Sequence, residues 1–131
     1  MLKKIILSFC LGLSNVAIAK SVALSFDDGL DPSINSEAQQ INENILSTLK
    51  QNKIHAIFYP SISKIGGAEG LNIVSNWGKQ GHRIGNHGNL HLNLNKNEVN
   101  LPDYLQDMQE GHQAFSSLEG FVPRYRFPFL K

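Results

Sequence analysis

The first apolar stretch of the folded chain is Val22-Ala23-Leu24-Ser25-Phe26, and it runs straight into Asp27-Asp28-Gly29. An apolar, β-prone run of this length closed by a turn residue predicts a buried strand. Residues 30–35 read as a loop, after which Ser33 or Ser36 is placed to cap a helix running to about Asn52. Ala38, Ile41, Ile45 and Leu49 recur every three or four residues and form one stripe on that helix. Residues 54–59 predict the next strand, closed by Pro60. A loop with Gly66-Gly67 precedes a second helix over 69–80, with Leu71, Val74 and Trp77 inward and Gly81 as its stop. Residues 83–86 predict a short third strand leading into His87-Gly88-Asn89-Leu90-His91. A third helix begins near Leu101, with Pro102 in its first turn and Asn100 as cap. Its apolar face is Leu101, Leu105, Met108, Phe115 and Leu118, and residues 122–127 predict a fourth strand.

Strand and helix therefore alternate, which predicts an α/β fold of parallel strands joined by helical crossovers. In such folds functional groups gather at the carboxyl ends of the strands. Asp27-Asp28, His87 and the segment around Arg126 all fall there.

Composition changes this picture little. With 131 residues, 41% of them hydrophobic, the chain has material for one modest domain with a core. A net charge of +1 gives no case for nucleic acid or an anionic membrane as partner. The N-terminus is different in kind. Lys3 and Lys4 precede an apolar run over 5–13, and Ala17-Ile18-Ala19 supplies small residues before a cleavage point. Residues 1–19 thus read as a secretory signal peptide, too short to span a membrane comfortably, and residues 20–131 as the domain. Cys10 is the one cysteine. The large Phe9 before it argues against a lipid anchor, so a soluble, exported or periplasmic protein is expected. The mature chain then has no disulfide and no thiolate metal ligand.

Two adjacent carboxylates at a strand end read either as a solvated Asp-Asp-Gly turn or, because they resist joint ionisation, as a place where a bound cation removes that cost. His87 and His91 are four residues apart, and one helical turn would bring their Cβ atoms to about 5–6 Å of one another. Two histidines and one aspartate leave coordination positions open, as in catalytic rather than structural metal sites. A cation so held lowers the pKa of its water to about 7, and a neighbouring carboxylate can take the proton. One member of the Asp pair then holds the metal and the other is the base. Arg126 is a candidate to orient that base by charge-assisted hydrogen bonds. Its alternative is a surface arginine beside aromatic residues. His82 is a candidate support for the metal loop, whereas His55 and His112 read as structural.

Ser25-Phe26-Asp27-Asp28-Gly29 resembles the first motif of the polysaccharide deacetylase (NodB-homology) family, carbohydrate esterase family 4, with Ser25 where the family usually has Thr. Gly81-His82-Arg83-Ile84-Gly85-Asn86-His87 followed by His91 is similar to its second motif, and Arg126-Phe127-Pro128-Phe129 to its third. Residues 54–59 resemble the strand between the first two motifs. The resemblance implies a partial, deformed (β/α) barrel and a metal-dependent hydrolase of acetylated polysaccharide or peptidoglycan. It implies Asp27 as general base, braced by Arg126. Asp28, His87 and His91 become ligands of a divalent metal, zinc first, with cobalt or manganese as alternatives. Pro128 and Phe129 shape a wall of the substrate groove.

Two departures from the family pattern bear on this reading. Gly88 stands where the family has Ser or Thr, and the hydroxyl that steadies the metal loop is missing, with Asn89 as a possible substitute. The family's fourth and fifth motifs, including the histidine general acid, are expected beyond Lys131. The chain therefore reads as the N-terminal part of such a domain, with an exposed sheet edge. Other readings are a non-catalytic carbohydrate- or metal-binding remnant, or a metal hydrolase of O-acetyl esters, cyclic imides or amides.

Overall fold

A computed structural model describes residues 21–130, so the expected signal segment 1–19, with Cys10, lies outside the described residues. Four strands, β1 (Leu24–Asp28), β2 (Ala56–Pro60), β3 (Arg83–Asn86) and β4 (Phe121–Tyr125), form one sheet in the order β1-β2-β3-β4. All neighbouring pairs are parallel. Helices α1 (Ala38–Gln51), α3 (Ala68–Lys79) and α4 (Leu101–Phe115) make the crossovers, and a single-turn helix α2 (Ile62–Ile65) follows β2. The predicted alternation and parallel pairing are what is found, and α2 and a short 3-10 turn over Pro128–Leu130 are the elements the hydrophobic pattern did not announce. No helix among the described residues is long and apolar enough to cross a membrane.

The core lies between the sheet and α1 and α3. Leu46, Leu49, Phe58, Val74, Trp77, Ile84 and Phe115 are buried there, with Phe26 packed against them. Trp77 is its centre, 4.9 Å from the ring of Phe58 and 5.1 Å from that of Phe26. Its indole N–H donates to Asn42 Oδ1 at 2.6 Å. That bond lets the α1 stripe turn: Asn42 and Leu46 are buried beside Ala38 and Leu49, while Ile41 and Ile45 are only half-buried.

Three local expectations are corrected. The first strand is not buried, because β2 is its one partner among the described residues, leaving Leu24, Ser25 and Asp27 exposed. Neither Ser33 nor Ser36 caps α1, which starts at Ala38 without a side-chain cap. Ser33 instead donates from its N–H and hydroxyl to Asp31 Oδ1, a local Asx turn that competes with capping. The inner face of α4 is Tyr104, Asp107, Gly111 and Phe115, with Leu101 and Leu105 exposed. Polar partners explain that rotation, since Tyr104 meets the Tyr125 hydroxyl at 3.0 Å and Asp107 meets backbone amides. The Asn100 cap is as expected, its side chain accepting from Asp103 N at 2.9 Å.

His82 is also reassigned. It lies at the start of β3, away from the metal loop at the other end. It is 3% exposed, its ring lies edge-on to Trp77, and Nδ1 accepts the Ala56 N–H at 3.2 Å. Burial first, and His55 second, push its pKa below the ordinary histidine value. An unfolded chain takes a proton on His82 near pH 6.5, whereas the folded chain refuses it until lower pH. Stability from this site is therefore whole above about pH 6.5 and is lost as pH falls towards the depressed folded pKa. Urea midpoints at pH 7.5 and pH 5 should differ more for the wild type than for His82→Gln, and an equal difference would refute the assignment.

Candidate active site

Strand alternation places Ser25 and Asp27 on one face of β1 and Phe26 on the face covered by helices. A continuing strand would turn Asp28 towards the helices with Phe26. The backbone at Asp28 is instead left-handed, with φ +70°, and its carboxylate reaches the histidines. His87 Nε2 is 3.5 Å and His91 Nε2 2.9 Å from Asp28 Oδ1. One ligating atom from each of Asp28, His87 and His91 falls within 4.8 Å of the other two.

His91, like Asp28, has positive φ, at +59°. Non-glycine residues held in this region cluster at functional sites. The loop between the histidines is not helical. The four-residue spacing works here through the turn at Gly88 and the left-handed His91, and the ring centroids lie 4.8 Å apart.

Each imidazole is presented in a defined way. His87 is 3% exposed, and its Nδ1 lies 2.8 Å from the carbonyl oxygen of Arg126. A carbonyl can only accept, so Nδ1 donates to it and Nε2 is the nitrogen that faces Asp28. His91 packs edge-on against Phe129 at 4.8 Å. Burial pushes its pKa down, partly opposed by Asp28, with His87 and Lys64 lowering it further. A neutral imidazole is the form that ligates a metal.

Asp28 Oδ1 is buried and has no hydrogen-bond partner, although His91 Nε2 is near. A buried carboxylate oxygen left unpaired is costly, and two imidazole nitrogens around it make the combination that suits a divalent cation. The residues fit the group.

Asp27 stands beside this cluster rather than in it. Arg126 Nη1 donates to Asp27 Oδ1 and to Ser25 Oγ, both at 2.9 Å. The guanidinium lies over the ring of buried Tyr59, 4.3 Å from its centroid, and Tyr59 is the register partner of Asp27. Arg126 thus holds Asp27 with its side chain and His87 with its carbonyl. The two expected wall residues differ: Pro128 is fully buried, whereas Phe129, at φ +60°, is 53% exposed beside His91.

Pattern reading passed over Ser25 as a partner of Arg126, the Tyr59 platform and Asp107. The first two had a signal in strand alternation and parallel register. Asp107 had none, since an aspartate within a helix ordinarily faces solvent.

Residues 15–131 match the polysaccharide deacetylase family. A peptidoglycan-N-acetylglucosamine deacetylase of Bacillus cereus is 33% identical over 107 residues, which are 82% of this chain and 35% of that protein. A solved peptidoglycan N-acetylglucosamine deacetylase, in complex with a naphthalenyl N-oxidanyl-benzamide, superposes with a TM-score of 0.66 at 30% identity, over 83% of this chain and 46% of the other. The chitin deacetylase of Colletotrichum lindemuthianum has the same fold, with a TM-score of 0.62 at 24% identity, over 83% of this chain and 46% of that one. The chain thus spans about a third of the curated relative and under half of these solved ones, and its four-stranded sheet corresponds to part of their deformed (β/α) barrel. A match of this extent makes the chain a member of the polysaccharide deacetylase family.

Proposed function

We propose that this chain carries the metal-binding half of a hydrolase that removes acetyl groups from an N-acetylated or O-acetylated polysaccharide, peptidoglycan or chitin being the relevant classes. The observation that carries the reading is the unpartnered, buried Asp28 Oδ1 within reach of two imidazole Nε2 atoms. Asp28, His87 and His91 would hold a divalent cation, zinc being the best match to two nitrogens and one oxygen with open positions. A cation there supplies an electrophile for the acetyl carbonyl and acidifies water.

The protein's own groups divide the remaining work. Asp27 takes the proton of the attacking water, and the arginine beside it keeps that carboxylate aimed. Phe129 offers an aromatic face beside the site, and buried Pro128 sets its position. In the reaction the acetyl carbon gains the water oxygen, its bond to nitrogen (to oxygen in an O-acetyl group) breaks, and the amine or alcohol leaves with the proton taken from that water. Export through residues 1–19 would bring the site to cell-envelope polymers.

Zinc per chain in the purified protein tests the centre. Near-stoichiometric zinc is expected for the wild type and little for the His87→Ala, His91→Ala double variant. Equal content in both would remove the ligand assignment.

A further inference from the structure

The loop that carries the two histidines is gripped from two sides. On one side its carbonyls are held by the start of α2. Ile62 N donates to Gly88 O at 3.3 Å and Ser63 N to Asn89 O at 2.8 Å. The Ser61 hydroxyl also donates to Asn89 O, at 3.0 Å. On the other side its amides meet one buried carboxylate from α4. Asp107 is 2% exposed. Its Oδ2 accepts the Asn89 N–H at 3.1 Å, a donor shared with the Asp107 carbonyl oxygen at 3.2 Å, and its Oδ1 accepts the Leu90 N–H.

The chain is shaped to let this carboxylate in. Gly88 has φ +90°, and a Cβ there would lie 2.3 Å from Asp107 Oδ2. Gly111, one turn further along α4, allows the helix to close on Asn86 and Gly88, since its Cβ would meet Asn86 Oδ1 at 2.3 Å. Asn86 in turn accepts the Gly88 N–H at 2.9 Å and donates to Met108 O at 2.8 Å. Among the described residues no Lys, Arg or His forms an ion pair with Asp107. Burying a carboxylate without a cation is expensive, and here two consecutive backbone amides are its compensation.

We propose that Asp107 is a positioning residue for the metal loop. By taking the N–H groups of Asn89 and Leu90 it sets the path between His87 and His91, and so the separation of their two Nε2 atoms. It does in this chain what a hydroxyl at position 88 cannot, because the carboxylate fills the space such a side chain would need. The proposal rests on the reading of His87 and His91 as ligands. Its chemistry is specific to a carboxylate. The carboxylate offers one oxygen to each amide, and an asparagine would set its NH2 against one of the donors.

The test has two arms on the whole chain. In zinc-free protein, residue-resolved amide exchange reads the brace itself. Asp107→Asn should speed exchange at Leu90 by about tenfold or more, the loss of one hydrogen bond, and at Asn89 by less, because the carbonyl of residue 107 still accepts there, with the amides of α1 and β2 unchanged. In the second arm, competition against a chromophoric chelator measures zinc affinity, expected to fall about 10- to 100-fold in Asp107→Asn, as for other supports of metal ligands. Asp107→Glu keeps the charge and both oxygens on a longer stem. It should leave the fold intact but also weaken zinc, because it displaces the loop. Unchanged exchange at Asn89 and Leu90, or unchanged zinc affinity in both variants, would overturn the proposal. So would a loss of protection spread evenly through the core in both variants. A wild type that binds no zinc but shows the selective exchange effect would instead sink the ligand assignment and leave the brace standing.

Discussion

Asp27→Asn is expected to lower acetyl release from acetylated chito-oligosaccharide or peptidoglycan by about 10²–10⁴-fold, the usual contribution of a positioned general base, while zinc affinity stays as in the wild type. The split follows from geometry. Asp27 is tied to Arg126 and Ser25 at 2.9 Å and is not among the three residues whose ligating atoms converge. Asparagine preserves the shape and one acceptor for Arg126 but cannot take a proton. Asp28→Asn should invert the pattern, losing zinc first and activity as a consequence. Arg126 gives an intermediate case. Its replacement by Gln removes the charge beside Asp27 but leaves the carbonyl that holds His87 Nδ1. Zinc loss in Asp27→Asn, or full activity in it, would defeat the division between the two aspartates.

Trp77→Ala should destabilise the fold by about 3–5 kcal/mol, as expected for removing a buried large aromatic from a core. Trp77 is 2% exposed and touches Phe26, Phe58 and His82, so it joins β1, β2 and β3 to α3. The loss also strands Asn42. Its Oδ1 would have no donor, and its Nδ2 is already buried without a partner. An unsatisfied buried group adds about 1–3 kcal/mol. Against a typical domain stability of about 5–15 kcal/mol, this one exchange removes much of the folded population. Trp77→Phe separates the causes, keeping most of the apolar contact and losing the hydrogen bond. Urea unfolding followed by far-ultraviolet circular dichroism gives both values, and a cost under about 1 kcal/mol for the alanine variant would contradict the placement of this core.

The site sits at strand ends because a parallel sheet sends every carboxyl end the same way. That arrangement is written locally, in segments of strand length that end in Asp27-Asp28, Asn86-His87 and Tyr125-Arg126. The alternation of Ser25 and Asp27 against Phe26 is equally local. The buried face of α4 was legible only in part: Phe115 is buried in the core and Leu118 packs against it, as their spacing implies. Leu101 and Leu105 carry the helical period of a core stripe, yet Tyr104 and Asp107 are the residues buried, because their partners lie in the strand after α4 and in the loop before it.

Taken alone, the sequence determines the order of elements, their parallel pairing and the chemical types available at the strand ends. Those properties follow from short-range periodicity and turn chemistry. Tertiary structure decides which carboxylate faces the histidines, through the left-handed backbone at Asp28. It also decides that β1 has β2 as its one strand neighbour among the described residues and that Asp107 is buried against Asn89 and Leu90. Each of these depends on groups brought together from segments far apart in the chain, and no local pattern encodes the energy of a contact whose partner is not local.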